Sequence, residues 1–172
     1  MFYRTTTPSP LGPITLLSDE QALRGLWFAD QHYFGAGYDL NQAADQATPV
    51  LTTAKRWLTA YFAGQQPTSD DLPLAPAVTT FRQRVLRVIA SVPYGQTITY
   101  QAIAERLGQP SAVRAVGGAV GHNPLSIVIP CHRVVGSDGS LTGYAGGLDR
   151  KIALLTLEGA DPQALATGKL RV

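Results

Sequence analysis

The sequence predicts an α+β fold: a small N-terminal antiparallel sheet plus a helix, followed by a mainly helical C-terminal domain with a helix-turn-helix. Three observations point there. Three β-branched or apolar runs broken by turn-forming residues fill the first 28 positions. Apolar residues at helical spacing dominate after position 79. Between the two, the sign of the charge changes. Residues 1–76 carry four Lys/Arg against seven Asp/Glu, net −3; residues 77–172 carry ten against five, net +5. The change falls at Leu72-Pro73-Leu74-Ala75-Pro76, read as a linker between an N-terminal α/β domain, 1–76, and a C-terminal domain, 77–172.

Element by element, residues 2–7, 14–18 and 23–28 are the strand candidates. Pro-Ser-Pro-Leu-Gly-Pro and Asp19-Glu20 turn the chain between them, as a meander requires. Residues 30–48, rich in Gly, Gln and Asp, are expected to form a loop. A helix follows over 49–62, with Leu51, Ala54, Leu58 and Tyr61 on one face and Gly64 as its stop. Trp27 and Trp57 are assigned to the core and His32 to the surface. Beyond the linker, Thr80-Phe81-Arg82-Gln83 has the spacing of a capping box, and Phe81, Val85, Val88 and Ile89 make an apolar stripe. Val92-Pro93-Tyr94-Gly95 ends that helix. Tyr100, Ile103, Ala104 and Leu107 form a short amphipathic helix stopped by Gly108, and Ser111 is placed to cap another through about Val120. Two short helices joined by a tight Gly-containing turn outline a helix-turn-helix. Gly117 and Gly118 inside the second helix each cost about 1 kcal/mol relative to Ala, which predicts close approach of a backbone, of protein or nucleic acid. Arg114 lies one turn into the same helix. Leu148, Ile152 and Leu155 mark a last helix, closed by Gly159.

Composition narrows the function. With 45% hydrophobic and 15% charged residues, the 172-residue chain builds a core and is not a charge-driven disordered protein. One cysteine excludes an intramolecular disulfide framework and a Cys-based zinc site, and three histidines make a histidine metal site hard to assemble. No apolar h-region opens the sequence and no run approaches the ~20 apolar residues of a membrane span, so a cytoplasmic location and no membrane association are expected. The basic C-terminal half suggests a polyanionic partner, although a chance excess on a solvated face would read the same.

The thiol is the chemical question. A lone cysteine is often an inert buried hydrophobe, yet His132 and Arg133 follow Cys131 and place positive charge beside it, which lowers a thiol pKa. Neighbours in a strand point to opposite faces, so His132 serves as a base only where the chain turns or a water intervenes. Glu158, at the negative end of the last helix where a carboxylate is disfavoured, is the candidate to orient His132, with solvent exposure as the alternative.

Ile129-Pro130-Cys131-His132-Arg133-Val134-Val135 resembles the active-site signature of the O6-alkylguanine-DNA alkyltransferases, the methylated-DNA–protein-cysteine methyltransferases. The resemblance extends through Val92-Pro93-Tyr94-Gly95, Thr99-Tyr100, Arg114-Ala115-Val116-Gly117-Gly118-Ala119, Asn123-Pro124, Tyr144-Ala145-Gly146-Gly147 and Glu158-Gly159, covering roughly residues 79–160. It implies DNA repair by direct reversal: an irreversible SN2 transfer of the alkyl group of O6-alkylguanine to Cys131, stoichiometric and self-inactivating, with O4-alkylthymine left open. Double-stranded alkylated DNA is the implied partner, held through the minor groove with the damaged base flipped out. The resemblance makes Cys131 the nucleophile, His132 the base acting through a water, Glu158 its orienting partner, Tyr100 the proton donor to the leaving base and Asn123 a hinge. Arg114 fills the gap left by the flipped base; Tyr100, Gln101, Ala115, Gly117 and Gly118 complete the DNA contact. Val134, Tyr144, Ala145 and Gly146 line the lesion pocket. No cofactor is implied, and the first 76 residues lack the cysteines of zinc-binding members, so no metal is expected; a monomer is the default. Ala145 and Ser126 stand where some members carry Ser and Pro, which leaves inhibitor sensitivity open. A non-enzymatic lesion binder is disfavoured by Cys131, a regulator by the absence of a further cysteine-bearing sensor domain, and a Cys-His hydrolase would show turnover.

Overall fold

A computed structural model describes residues 1–168; residues 169–172, the end of the second expected domain, lie outside the described residues. The chain divides into two compact units. The first is Met1–Ala77 together with Pro124–Val128, and the second is Val78–Asn123 with the described residues from Ile129 onward. The chain thus leaves the second unit after Asn123, adds a short stretch to the first, and returns just before the cysteine. The architecture is α+β.

In the first unit, β1 (Tyr3–Thr7), β2 (Ile14–Ser18) and β3 (Leu23–Phe28) pair antiparallel as the meander pattern predicts. The sheet has a fourth member, β4 (Ala44–Asp45), parallel to β1 at its edge, in the order β3-β2-β1-β4. It lies in the segment expected to be loop, which also holds a 3-10 turn at Leu40–Gln42. Two residues are too few to show a period, and their pairing is made by backbone, with Ala44 N–H donating to Phe2 O at 2.9 Å. Helix α1 (Pro49–Phe62) starts on Thr48, whose hydroxyl accepts from Leu51 N–H, and buries Leu51, Ala54, Leu58 and Tyr61. Trp27 and Trp57 are buried, and His32 is exposed. Gly25 gives the Trp27 indole its place: a Cβ there would lie 1.9 Å from the ring.

The proline-rich stretch expected as a linker is a built part of this unit. Leu23 N–H donates to Pro73 O (2.8 Å), Ala75 N–H to Leu23 O (2.9 Å), and the Arg24 guanidinium reaches Ala75 O. Further along β3, Leu26 N–H donates to Pro124 O and Ser126 N–H to Leu26 O, so two passing segments share the pairing groups of β3. Proline carbonyls accept as well as any other, and segments of this kind blunt a sheet edge that would otherwise template association.

The second unit packs α2 (Thr80–Ala90) and α3 (Tyr100–Arg106) against α4 (Val113–Gly121). The cap of α2 is Thr79, not Thr80: its hydroxyl accepts from Arg82 N–H, a one-residue shift between adjacent threonines. Ser111 does not cap α4. Ala112 occupies the N-cap without a side-chain bond, because the Gln109–Ala112 turn (Ala112 N–H to Gln109 O, 2.9 Å) delays the helix. Gly108 reverses the chain between α3 and α4 at φ +72. Strands β5 (Ile98–Thr99) and β6 (Val134–Val135) pair in parallel. Helix α5 (Leu148–Leu157), the helix that Leu148, Ile152 and Leu155 mark, buries Lys151, Leu154 and Leu155 and exposes Leu148; α6 (Pro162–Thr167) follows. No helix of the described residues is long and apolar enough to cross a membrane.

Candidate active site

Cys131 sits on a turn rather than in the extended segment its apolar flank suggests. Val128 N–H donates to Ser126 O at 2.8 Å across Ile127, which has φ +71, a costly conformation for a β-branched residue. Cys131 N–H then donates to Ile129 O at 2.8 Å across Pro130 (φ −81, ψ 66), a three-residue turn of the opposite hand. Cys131–Arg133 form one 3-10 turn, closed by Arg133 N–H on Pro130 O. Three residues per turn set neighbouring side chains about 120° apart instead of opposed, which removes the strand objection to His132 as a partner.

Glu158, at the C-cap of α5, finds the partners its position demands. Its Oε2 lies 2.6 Å from His132 Nε2. Arg133 grips the same carboxylate through Nε (2.7 Å to Oε1) and Nη2 (3.1 Å to Oε2) and donates from Nη1 to Val92 O at 2.7 Å. Gly95 N–H adds a 3.4 Å contact to Oε1, and the guanidinium lies 5.7 Å from the Tyr94 ring centroid. Burial alone would raise the Glu158 pKa, but the hydrogen bonds and charges of His132 and Arg133 outweigh it and hold the carboxyl at about 2. An ionised carboxylate only accepts, so His132 Nε2 carries the hydrogen and the fully buried Nδ1 keeps the lone pair. Burial pushes the His132 pKa down despite Glu158. The ring is neutral and able to take a proton.

The thiol itself differs from expectation. Burial pushes the Cys131 pKa up, against the hydrogen bond from Asn123, the charge of Lys151 and the hydrogen bond from Tyr144. Arg133 spends its charge on Glu158 and does not activate the sulfur, and neutral His132 supplies no cation. At rest Cys131 is a protonated thiol that needs a base. The Asn123 amide also donates to Ile129 O at 2.8 Å, fixing the backbone two residues before the cysteine. The Tyr144 ring stands edge-on to His132, centroids 6.5 Å apart.

Tyr100 and Cys131 are placed by one device. Strand β5 runs directly into α3, of which Tyr100 is the first residue, and β6 follows the cysteine turn; their ladder pairs Ile98 with Val134 and Thr99 with Val135. Burial raises the Tyr100 pKa, a hydrogen bond with Thr142 opposes it, and Cys131 adds to it only when the sulfur is ionised. Val134 is buried; Ala145 is half-buried, and buried Gly146 accepts from Arg150 at 3.0 Å.

The remaining predicted residues form a separate surface. On α4, Val116, Ala119 and Val120 face inward, while Arg114 and Ala115 are exposed and Gly117 and Gly118 half-exposed. Among the described residues, no backbone outside their own helix approaches the two glycines: a Cβ at either would meet nothing within 4 Å. Gln101, half-buried, donates to Pro110 O and Glu105 Oε1.

Sequence reasoning missed Lys151. It is buried on α5, its Nζ donating to Val134 O (2.7 Å) and Thr142 O (3.2 Å), and burial lowers its pKa to about 8. A signal existed: Lys151 lies seven residues before Glu158, on the same helix face as Leu154 and Leu155. Thr142, in a loop, gave none.

Two family models match the chain: 6-O-methylguanine DNA methyltransferase, ribonuclease-like domain, over residues 2–76, and 6-O-methylguanine DNA methyltransferase, DNA binding domain, over residues 80–160. A methylated-DNA–protein-cysteine methyltransferase of Mycobacterium bovis is 43% identical over 161 residues, covering 92% of this chain and 93% of that one. One from Haemophilus influenzae is 39% identical, covering 91% and 86%. The crystal structure of Mycobacterium tuberculosis OGT in complex with DNA superposes with a TM-score of 0.83 at 42% identity, covering 91% of this chain and 92% of that one.

Proposed function

The chain belongs to the 6-O-methylguanine DNA methyltransferase family, and we propose that it repairs alkylated duplex DNA by direct reversal, moving the alkyl group of O6-alkylguanine onto Cys131 in one irreversible displacement. The observation that carries this reading is the buried cysteine on a 3-10 turn whose next residue, His132, is a neutral base held at 2.6 Å by an ionised Glu158.

The sulfur attacks the saturated alkyl carbon in line with the breaking C–O bond. The C–S bond forms as the C–O bond breaks, and its electron pair stays on the guanine. The thiol proton passes to His132 Nδ1, through a water in the family's manner, and the imidazolium so formed is stabilised by Glu158. The Tyr100 phenol gives its proton to the departing base, leaving a phenolate whose charge balances the imidazolium. The product is a thioether with no good leaving group, and the chain has no second thiol to remove the alkyl group. Each molecule therefore acts once.

Helices α3 and α4 supply the DNA contact in this reading. The open, small-residue face of Ala115, Gly117 and Gly118 lets a minor-groove backbone come close, and exposed Arg114 takes the place of the flipped nucleotide. Asn123, which reaches Ile129 O, links the end of α4 to the cysteine turn. One chain supplies every group named, which favours a monomer; the reading places it in the cytoplasm.

The test mixes the protein with duplex DNA carrying O6-methylguanine and follows lesion loss beside the mass of the Cys131 peptide. The expected result is at most one lesion repaired per protein and one methyl on that peptide. Repeated turnover, or repair with an unmodified cysteine, overturns the reading. Cys131→Ser abolishes transfer while retaining lesion binding. Arg114→Ala slows repair in duplex far more than reaction with the free methylated base; equal losses remove its assigned role.

A further inference from the structure

Two groups near the reacting centre are absent from this scheme: the Thr142 hydroxyl and the Lys151 ammonium. Tyr100 OH and Thr142 Oγ1 are 2.9 Å apart, and either oxygen can donate in the resting pair. That symmetry ends during alkyl transfer. Once Tyr100 has given its proton away its oxygen only accepts, and the Thr142 hydroxyl becomes the donor to the phenolate. A hydrogen bond to a charged oxygen is roughly twice as strong as one between neutral groups, so the contact tightens as the reaction proceeds.

The loop around Thr142 has little regular structure of its own, yet Thr142 is tied down. Its carbonyl accepts from Lys151 Nζ at 3.2 Å, and the same ammonium donates to Val134 O at 2.7 Å. Val134 opens strand β6, directly after the cysteine turn, and pairs with Ile98 two residues before Tyr100. The phenol, the threonine and the strand beside the cysteine are thus closed into a ring through one buried lysine. Burying an ammonium is costly, and its use to hold two carbonyls is the return visible in the fold.

Resting on the alkyl-transfer reading, we propose that Thr142 is a positioning residue for Tyr100: its hydroxyl donates to the Tyr100 oxygen as the phenol protonates the departing base, with Lys151 fixing the Thr142 carbonyl so that the hydroxyl stays in reach. Burial makes Tyr100 a weaker acid, and the threonine contact works in the opposite direction.

The experiment has two readouts on wild type, Thr142→Val and Thr142→Ser. Carbon-13 tyrosine NMR follows the titration of Tyr100, assigned by its loss in Tyr100→Phe. Single-turnover transfer from an O6-methylguanine duplex is measured across pH, beside duplex affinity. Thr142→Val should raise the Tyr100 titration and slow transfer about tenfold at unchanged affinity; Thr142→Ser should restore both. In a Tyr100→Phe background the valine change should add nothing. An unmoved Tyr100 titration, or the same slowing without the phenol, overturns the proposal. Thr142→Ala supplies the same comparison if the valine variant fails to fold. Failure of the wild type to methylate Cys131 sinks the alkyl-transfer reading instead, which the tyrosine titration alone does not report.

Discussion

The two units bury polar side chains on different terms. In the first, the buried polar side chains among the described residues are neutral: Thr15, Ser18, Gln31, Thr48 and Ser126. In the second, His132, Arg133, Lys151 and Glu158 lie buried together with Asn123. A neutral hydroxyl or amide costs little once bonded, as Gln31 is to Phe28 N–H and to Ser126. Each buried ion costs several kcal/mol before its partners offset it, and apolar side chains of the same volume often hold a fold as well or better. The second unit keeps such a cluster at the 3-10 turn of Cys131, where His132 and Arg133 both hold Glu158. The contrast separates a unit whose buried polar groups are neutral from one that keeps a buried charged cluster, which is the cluster the proposed alkyl transfer calls on.

The harshest way to break that contrast is to remove Glu158. Glu158→Leu leaves Arg133 buried without its carboxylate and should cost about 3–5 kcal/mol of unfolding free energy in urea titrations. The apolar pair Arg133→Met with Glu158→Leu should recover much of that loss while transfer stays abolished. A Glu158→Leu variant as stable as the wild type would mean that the cluster carries no energetic weight.

Acid sharpens the same point. The folded Glu158 pKa, about 2, lies below its ordinary value of 4.5, so its contribution is complete above 4.5 and is lost as pH falls toward 2. The corresponding loss is about 3 kcal/mol. Buried His132, also lowered, adds a loss of the same sign that begins near 6.5, because the unfolded chain binds that proton first. Unfolding titrations from pH 7 to 2 should show both; Glu158→Gln should start lower and lack the step between 4.5 and 2.

What could be read from the sequence follows the same division. The meander, α1 and the helices of the second unit were legible because apolar periodicity spans several turns or strand pairs. Where pairing is made by backbone alone, side-chain pattern holds no information: the expected loop contains β4, and the proline stretch that ends just before the boundary between the units also pairs along β3. In the site, Glu158 stood out because a carboxylate at a helix C-terminus breaks a local rule. The activation of the thiol by Arg133 was misread because sequence adjacency does not say which partner takes a charge: Arg133 turns to Glu158, and the cation felt by the sulfur is Lys151, twenty residues away in sequence. Thr142 was invisible, since a threonine in a loop breaks no rule.

The smallest effect belongs to the first unit. Thr48 accepts from Leu51 N–H at 3.1 Å to cap α1 and meets Ser18 Oγ of β2 at 3.3 Å, joining helix to sheet through two neutral groups. Thr48→Ala should cost about 1 kcal/mol, the usual price of a lost N-cap, and Thr48→Ser almost nothing, since the serine hydroxyl caps as well. Transfer to Cys131 per folded molecule should be unchanged in both, because no residue of the cysteine cluster is touched. Urea midpoints and single-turnover rates on the same samples decide it. A Thr48→Ala loss comparable to that of Glu158→Leu, or a slowed transfer, would show that the neutral polar contacts of the first unit matter as much as the buried ions of the second, and the distinction between the units would fall.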